Sequence, residues 1–174
     1  MVMFDPTIFE NLKVALENQL YDLDNIDEAI RIIGRDDRLE MSVMSREFAI
    51  RFELAGRPKV FAEMRLEASL ADLSAEILEI EDARPGCRLK IGFGMSVTEA
   101  ETECGEIERI LKTIWPDIPL VQTLTRVYGA AGGGYENKAE LRFQRKIDEE
   151  QMGDLPELIQ YVLQSLAELC GRAS

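Results

Sequence analysis

Histidine is absent from the 174 residues. That removes the commonest general acid–base and the commonest metal ligand at neutral pH, and it excludes Ser-His and Cys-His dyads outright. Cysteine is scarce: Cys87, Cys104 and Cys170 are odd in number, far apart, and in none of the paired spacings of zinc or dithiol redox sites. Reduced, mostly buried thiols are expected. No apolar run reaches the roughly 18 residues of a membrane span, and Met1-Val2-Met3-Phe4-Asp5 lacks a basic region followed by an apolar stretch. Neither a membrane protein nor a conventionally secreted one is expected, which leaves a cytoplasmic chain. Positive charge is in short supply too, with 20 Lys+Arg against 33 Asp+Glu and a formal charge of −13. Such a surface repels phosphate backbones and anionic lipid. Arg142, Arg145 and Lys146 alternate with other residues along a strand-like stretch, which reads as a solvated face. Nucleic acid and membrane are therefore not expected partners.

What is present is periodicity. From Tyr135 to Ile147 the residues Tyr135, Ala139, Leu141, Phe143 and Ile147 alternate with Glu136, Lys138, Glu140, Arg142, Gln144 and Lys146, the period of a strand with one wet face. Leu120 to Tyr128 is rich in β-branched residues and is its expected partner, joined to it by Gly129-Ala130-Ala131-Gly132-Gly133-Gly134. The pair predicts a long C-terminal hairpin around which the remaining elements are arranged.

Upstream, Asp5-Pro6 supplies an N-cap and a first-turn proline for a helix whose apolar stripe is Phe9, Leu12, Leu16 and Leu20, with Glu10, Lys13, Glu17 and Asn18 off it. Asp22, Asp24, Asn25 and Asp27 resemble a calcium loop in composition, yet the positions of its turn glycine and bidentate glutamate hold Asp27 and Ile33. No calcium site is predicted. Ile30-Ile32-Ile33 reads as a short apolar segment, and Gly34-Arg35-Asp36-Asp37-Arg38 as a turn into a meander. Its three strands are expected around Leu39 to Val43, Phe48 to Leu54 and Val60 to Leu66, with joints near Met44-Ser45-Arg46 and at Ala55-Gly56-Arg57-Pro58. A short helix from Ser69 to Ala75 is predicted, then an extra hairpin from Glu76–Glu81 through Asp82-Ala83-Arg84-Pro85-Gly86 to Cys87–Phe93, with Arg88 and Lys90 facing Glu79 and Glu81.

Ser96 and Thr98 each precede a glutamate by three, Glu99 and Glu101, offering a capping box to a helix with a stripe of Cys104, Ile107, Leu111 and Ile114, ended by Trp115-Pro116. Glu103, Glu106, Glu108 and Lys112 are expected to stay wet. After Asp148-Glu149-Glu150, a last helix is expected with Asp154 as cap, Pro156 in the first turn, Glu157 completing the box and Gly171 as stop. Its apolar set, Leu158, Ile159, Val162, Leu163, Leu166, Leu169 and Cys170, is broader than one stripe. Either that helix is sandwiched inside the chain or it meets a second copy as a homodimer. The sum is one α+β domain over residues 1–174: an antiparallel sheet of a meander, a C-terminal hairpin and an extra hairpin, packed with three main helices. About two thirds of the unfolded surface is buried on folding at this length.

For chemistry, Glu99/Glu103, Glu101/Glu108 and Glu149/Glu150 are pairs that a chain this acidic produces by chance, and Phe9, Phe48, Phe52, Phe143 and Trp115 fall at core or helix-end positions. No cofactor, metal or catalytic residue is predicted. The glycine tip runs into a strand rather than a helix, so it is neither a Walker loop nor a dinucleotide fingerprint. Tyr128 and Tyr135 flank it, and with Gly132, Gly133 and Gly134 they are candidates for a flap over a small-ligand or enzyme site lined by carboxylates of the second long helix.

The order of elements carried by Asp5 to Leu20, Leu39 to Glu67, Val97 to Ile114, Leu120 to Ile147 and Asp154 to Cys170, with the acid excess and the broad last helix, resembles the type III secretion chaperone family and its non-secretory relatives. Those are homodimeric proteins of α-β-β-β-α-β-β-α order, and the strands expected around Glu76 to Phe93 depart from that order. The resemblance implies a non-enzymatic adaptor whose apolar patches accept an extended segment of another protein. The regions it points to are the strand edge near Leu39 to Val43 and the interface candidates Leu158, Ile159, Val162, Leu163, Leu166 and Leu169.

Overall fold

The computed structural model describes residues 7–172, so the expected cap Asp5-Pro6 lies outside the described residues. It is an α+β fold with one six-stranded, wholly antiparallel sheet in the order β1-β2-β3-β4-β6-β5. In chain order the elements are α1 (Thr7–Asn25), β1 (Ile30–Glu40), β2 (Ser45–Leu54), β3 (Arg57–Ala68), α2 (Leu70–Ile77), β4 (Arg88–Val97), α3 (Ala100–Ile114), β5 (Leu120–Thr125), β6 (Tyr135–Arg142), a 3₁₀ turn (Glu149–Asp154) and α4 (Leu155–Arg172). Among the described residues no helix is long and apolar enough to cross a membrane.

The buried face of the sheet is built in rungs. Ile50, Met64, Ile91 and Leu141 lie across four adjacent strands, and so do Phe52, Ala62, Phe93 and Ala139. In the second rung two large rings alternate with two methyl groups, so the layer fills without voids. The stripe Phe9, Leu12, Leu16 and Leu20 of α1 packs on this face, as do Ile107 and Leu111 of α3 and Ile159, Val162, Leu166 and Leu169 of α4. The opposite face carries a lattice of ion pairs: Arg51 with Asp36 and Glu63, Arg65 with Glu63 and Glu47, Lys90 with Glu67, Arg142 with Glu140. There Phe61 lies across Gly94, its register partner, in the space where any Cβ would stand.

Several sequence expectations need correction. The first strand is β1, starting at Ile30; the stretch Gly34 to Arg38 is strand rather than turn, and Met41 and Val43 lie in the β1–β2 turn, exposed. A bulge between Ile32 and Gly34 explains the misreading. Ile30 and Ile32 pair with Leu54 and Phe52, whereas Arg35 and Asp37 pair with Ile50 and Phe48, so inward positions switch from even to odd and the two-residue period breaks. The extra hairpin does not form. Glu76 and Ile77 finish α2, which Ser69 caps by accepting from the Asp72 amide, and Glu79 and Asp82 have the positive φ of turn residues. Cys87 bridges to Ile147, and β4 lies between β3 and β6. Lys90 accordingly meets Glu67, and Arg88 sits opposite that same residue, in place of Glu79 and Glu81.

At the start of α3 the capping acid is neither Glu99 nor Glu101. The Glu103 carboxylate accepts from the Thr98 and Glu99 amides at 2.5 and 2.6 Å and from Arg172 Nη1 at 3.0 Å, so it is clasped rather than wet. Asp148 and Gln151 form the capping box of the 3₁₀ turn that leads directly into α4, and α4 runs past Gly171 to Arg172. Lys13, off the apolar stripe of α1, is nonetheless buried, 2.6 Å from Asp37.

The hairpin is shorter than its pattern suggests. β5 ends at Thr125 and β6 at Arg142. Pro119 carbonyl accepts from the Arg142 amide, so alternation turns the backbone groups of Val121, Thr123 and Thr125 toward β6 and those of Leu120, Gln122 and Leu124 outward, along an open edge with no charged side chain.

A candidate interaction groove

A concavity of the fold lies where α3 hands over to β5, beside the N-terminal half of α4. Proline shapes it. Trp115 closes α3, its amide bonding to Leu111 carbonyl, and Pro116 cannot continue the helix, so the chain turns through Asp117 and Ile118. The groove encloses about 440 Å³ between Trp115, Phe143 and Tyr161 and the aliphatic residues Leu89, Ile114, Ile118, Ile147, Leu155 and Leu158. Its polar rim is Asp117, Gln151, Asp154 and Glu157; among the described residues no basic side chain lines it, while Lys112 Nζ stands behind it on the Ile118 carbonyl at 3.2 Å.

The rings are fixed from behind. Trp115 Nε1 donates to Ser165 Oγ at 2.9 Å, and Ser165 Oγ donates to Tyr161 carbonyl at 2.8 Å, so the buried indole N–H is satisfied from within α4. Phe143 meets Trp115 edge-on at 6.0 Å between centroids and Tyr161 leans against it at 5.6 Å. Trp115 is only 6% exposed whereas Tyr161 is 41% exposed, giving a rigid floor and an accessible wall.

The structure distributes the sequence candidates unevenly. Leu158 lines the groove. Ile159, Val162, Leu166 and Leu169 are inside the core of this chain, and Leu163 is half-buried against it, so the breadth of the α4 apolar set is taken up mainly by the sheet, α1 and α3. Leu39 closes β1 at the sheet edge.

At the glycine tip, Tyr128 is fully exposed, and Gly132 and Gly133 adopt φ of 104° and 63°, conformations that favour glycine. Gly134 passes close to Val97 carbonyl. Tyr135 is half-buried and packs beneath the Arg126 guanidinium at 5.8 Å; it does not stack on Tyr128, which lies beyond the end of β5. The adjacent depression is lined by Arg126, Tyr128, Gly129 and Ala130, and the expected carboxylates of α3 do not reach it.

No protein-family model, curated protein or solved structure matches this chain. Its chemistry is therefore read from its own side chains. Among the described residues no group of three Cys, Asp or Glu is placed to hold a metal ion. Burial, with Asp72 and Glu76 nearby, pushes the Cys87 thiol up to about 12, so it is a protonated core residue at neutral pH. Sequence reasoning assigned Trp115 and Phe143 to core or helix end and did not connect them. The available signal was Tyr161, an aromatic on the wet side of α4, one helical turn before Ser165.

Proposed function

We propose that this protein is a non-enzymatic adaptor of chaperone-like type that captures an apolar segment of another protein in the groove between the end of α3 and the start of α4. The observation that carries the reading is the groove itself: nine aromatic and aliphatic side chains line one concavity, with Trp115 fixed at its floor by the bond to Ser165 and Tyr161 exposed at its wall. Concave apolar sites with a few fixed polar groups are where partners and ligands bind, and Trp and Tyr dominate binding energy at such sites. The α3 acids and the glycine tip converge on no site, which leaves the flap reading with less support.

Capture is tested by panning a random peptide display library against the folded protein and against its Tyr161→Ala and Leu158→Ala variants. Clones that bind the parent and lose about tenfold or more on both variants support capture, since truncating a central interface residue costs about 1–4 kcal/mol. Failure to enrich any groove-dependent clone, together with stabilisation by a metabolite or nucleotide in a thermal-shift panel, transfers the groove to a small ligand.

A homodimer is part of the same proposal, supported by the uncharged free edge of β5. In antiparallel self-pairing about Gln122, the outward groups of Gln122 meet those of its own copy and Leu120 meets Leu124 of the second chain. Thr123→Lys then shifts the sedimentation mass from dimer to monomer; an unchanged mass removes β5 from the interface.

A further inference from the structure

Resting on the capture reading, we infer that the segment taken up by the groove is cationic: a peptide in which large apolar side chains are interleaved with Lys or Arg. Three carboxylates, Asp117, Asp154 and Glu157, stand among the lining residues; Glu157 accepts from the Tyr161 hydroxyl at 3.4 Å, and among the described residues the lining holds no basic side chain. Asp154 and Glu157 flank the first turn of α4, and both are exposed. Beside them Tyr161 forms the exposed wall over the buried Trp115, with Tyr161 and Phe143 set at 59° and 88° to the indole. Aromatic faces attract ammonium and guanidinium groups, and carboxylates at the rim complete their coordination. An apolar segment without charge fills the floor and leaves the rim unanswered; an acidic one is repelled.

A second copy of this chain is disfavoured as the groove's occupant because a chain with 33 acidic against 20 basic residues brings mostly like charge to an acidic rim, unlike the uncharged edge of β5. A small alkylammonium shares the chemistry but not the extent. The groove is lined from four separate stretches, at Leu89, Ile114 to Ile118, Phe143 to Ile147 and Gln151 to Tyr161, and its 440 Å³ accepts several apolar side chains at once.

The chain contains its own reporter, since Trp115 is its only tryptophan and forms part of the groove. Three short, tryptophan-free peptides share a Leu-Phe-x-x-Leu core and carry lysine, glutamine or glutamate at every other position. Each is titrated into the protein while Trp115 emission is followed, alongside octylammonium as the small-cation control. The lysine peptide is expected to bind about tenfold or more tighter than the glutamine one, with the glutamate one weakest. That ranking should collapse in about 0.5 M salt, where the screening length falls to a few ångströms. In the Asp154→Asn, Glu157→Gln variant, both exposed positions, the lysine peptide should lose more affinity than the glutamine peptide, so that the ratio between the two falls.

Equal affinity for lysine and glutamine peptides overturns the cationic inference and leaves capture intact. Octylammonium binding as tightly as the lysine peptide overturns the peptide as occupant. If none of the three peptides binds, the clones recovered by panning decide: a set without enrichment of Lys or Arg overturns the inference, and the absence of any groove-dependent clone overturns the capture reading beneath it.

Discussion

Gly94 occupies the space it does because Phe61 needs it. The ring crosses to the neighbouring strand and lies where a side chain at position 94 would begin. Gly94→Val must push that ring into solvent and is expected to lower stability by about 1–3 kcal/mol, read as a lower urea midpoint at unchanged slope. In the Phe61→Ala background the same change should cost much less, because the obstacle is gone. The cysteines divide just as sharply. Cys87 and Cys170 are buried and Cys104 is partly exposed, its Sγ accepting from Asn137 Nδ2 at 3.3 Å. Native protein should therefore react with an aromatic disulfide reagent at one thiol quickly and at three only in denaturant. At this scale the sequence was readable wherever a residue obeyed its class, as Phe9 and Leu12 did. It was unreadable at Lys13, Asn137 and Glu103, polar residues whose partners are distant in the chain: Asp37, Gln122 and Arg172.

For the elements, the start of α3 illustrates how an acid acts through its setting. Glu103 bonds to the amides of Thr98 and Glu99, and Arg172 from the end of α4 bonds to its other oxygen, so its pKa is held below the usual 4.5 by the Thr98 amide first, then Arg172 and the Glu99 amide. Asp37 is pushed up by burial, but the Lys13 hydrogen bond and the charges of Arg46 and Lys13 outweigh this and bring it below 3.8. A carboxyl depressed in the folded state stabilises the fold fully above its unfolded value, and that stabilisation is lost as pH falls through the folded one. Stability should thus be level above about pH 5 and decline on acidification. Glu103→Gln should flatten part of that acid limb and lower neutral stability by about 1 kcal/mol, the scale of a lost cap. Urea titrations at several pH values compare the two limbs.

Elements with an uninterrupted period, α1, β2, β3, α3 and α4, were visible in the sequence, and so was the pairing of β5 with β6. Between Leu66 and Phe93 the short helix after Ser69 and the strand after Cys87 were visible, but not the fate of Glu76 to Glu81, because Leu70, Leu73 and Ile77 satisfy a helix while Leu78 and Ile80 also satisfy a strand. Long-range pairing of β4 with β3 and β6 decided the outcome. The groove was hidden for a related reason: its aromatic residues come from α3, the stretch after β6 and α4, and each has an ordinary core explanation when taken alone.

Across the whole molecule, charge and shape are divided between opposite sides. One face of the sheet is covered by helices, and the other carries a grid of half-buried ion pairs. Surface pairs of this kind contribute little each and are screened by salt. Raising ionic strength should therefore leave the melting temperature nearly constant while weakening capture of a basic segment, and calorimetry beside Trp115 titration separates the two. In the proposed complex, the same excess of acid would oppose aggregation of a captured apolar segment.

The bulge in β1 behaves like a frameshift already suppressed. Ile33 is the inserted letter: before it inward residues fall on even numbers, after it on odd ones, and β2 reads both halves in a single continuous frame from Phe48 to Leu54. Removing Ile33 alone leaves every partner on either side facing the residue it faces now, with an unbroken ladder between them. Excising one residue from a paired strand ordinarily inverts half of it. Here it should yield a folded protein with an unchanged circular dichroism spectrum, whereas excising Ile50 from the facing strand should not.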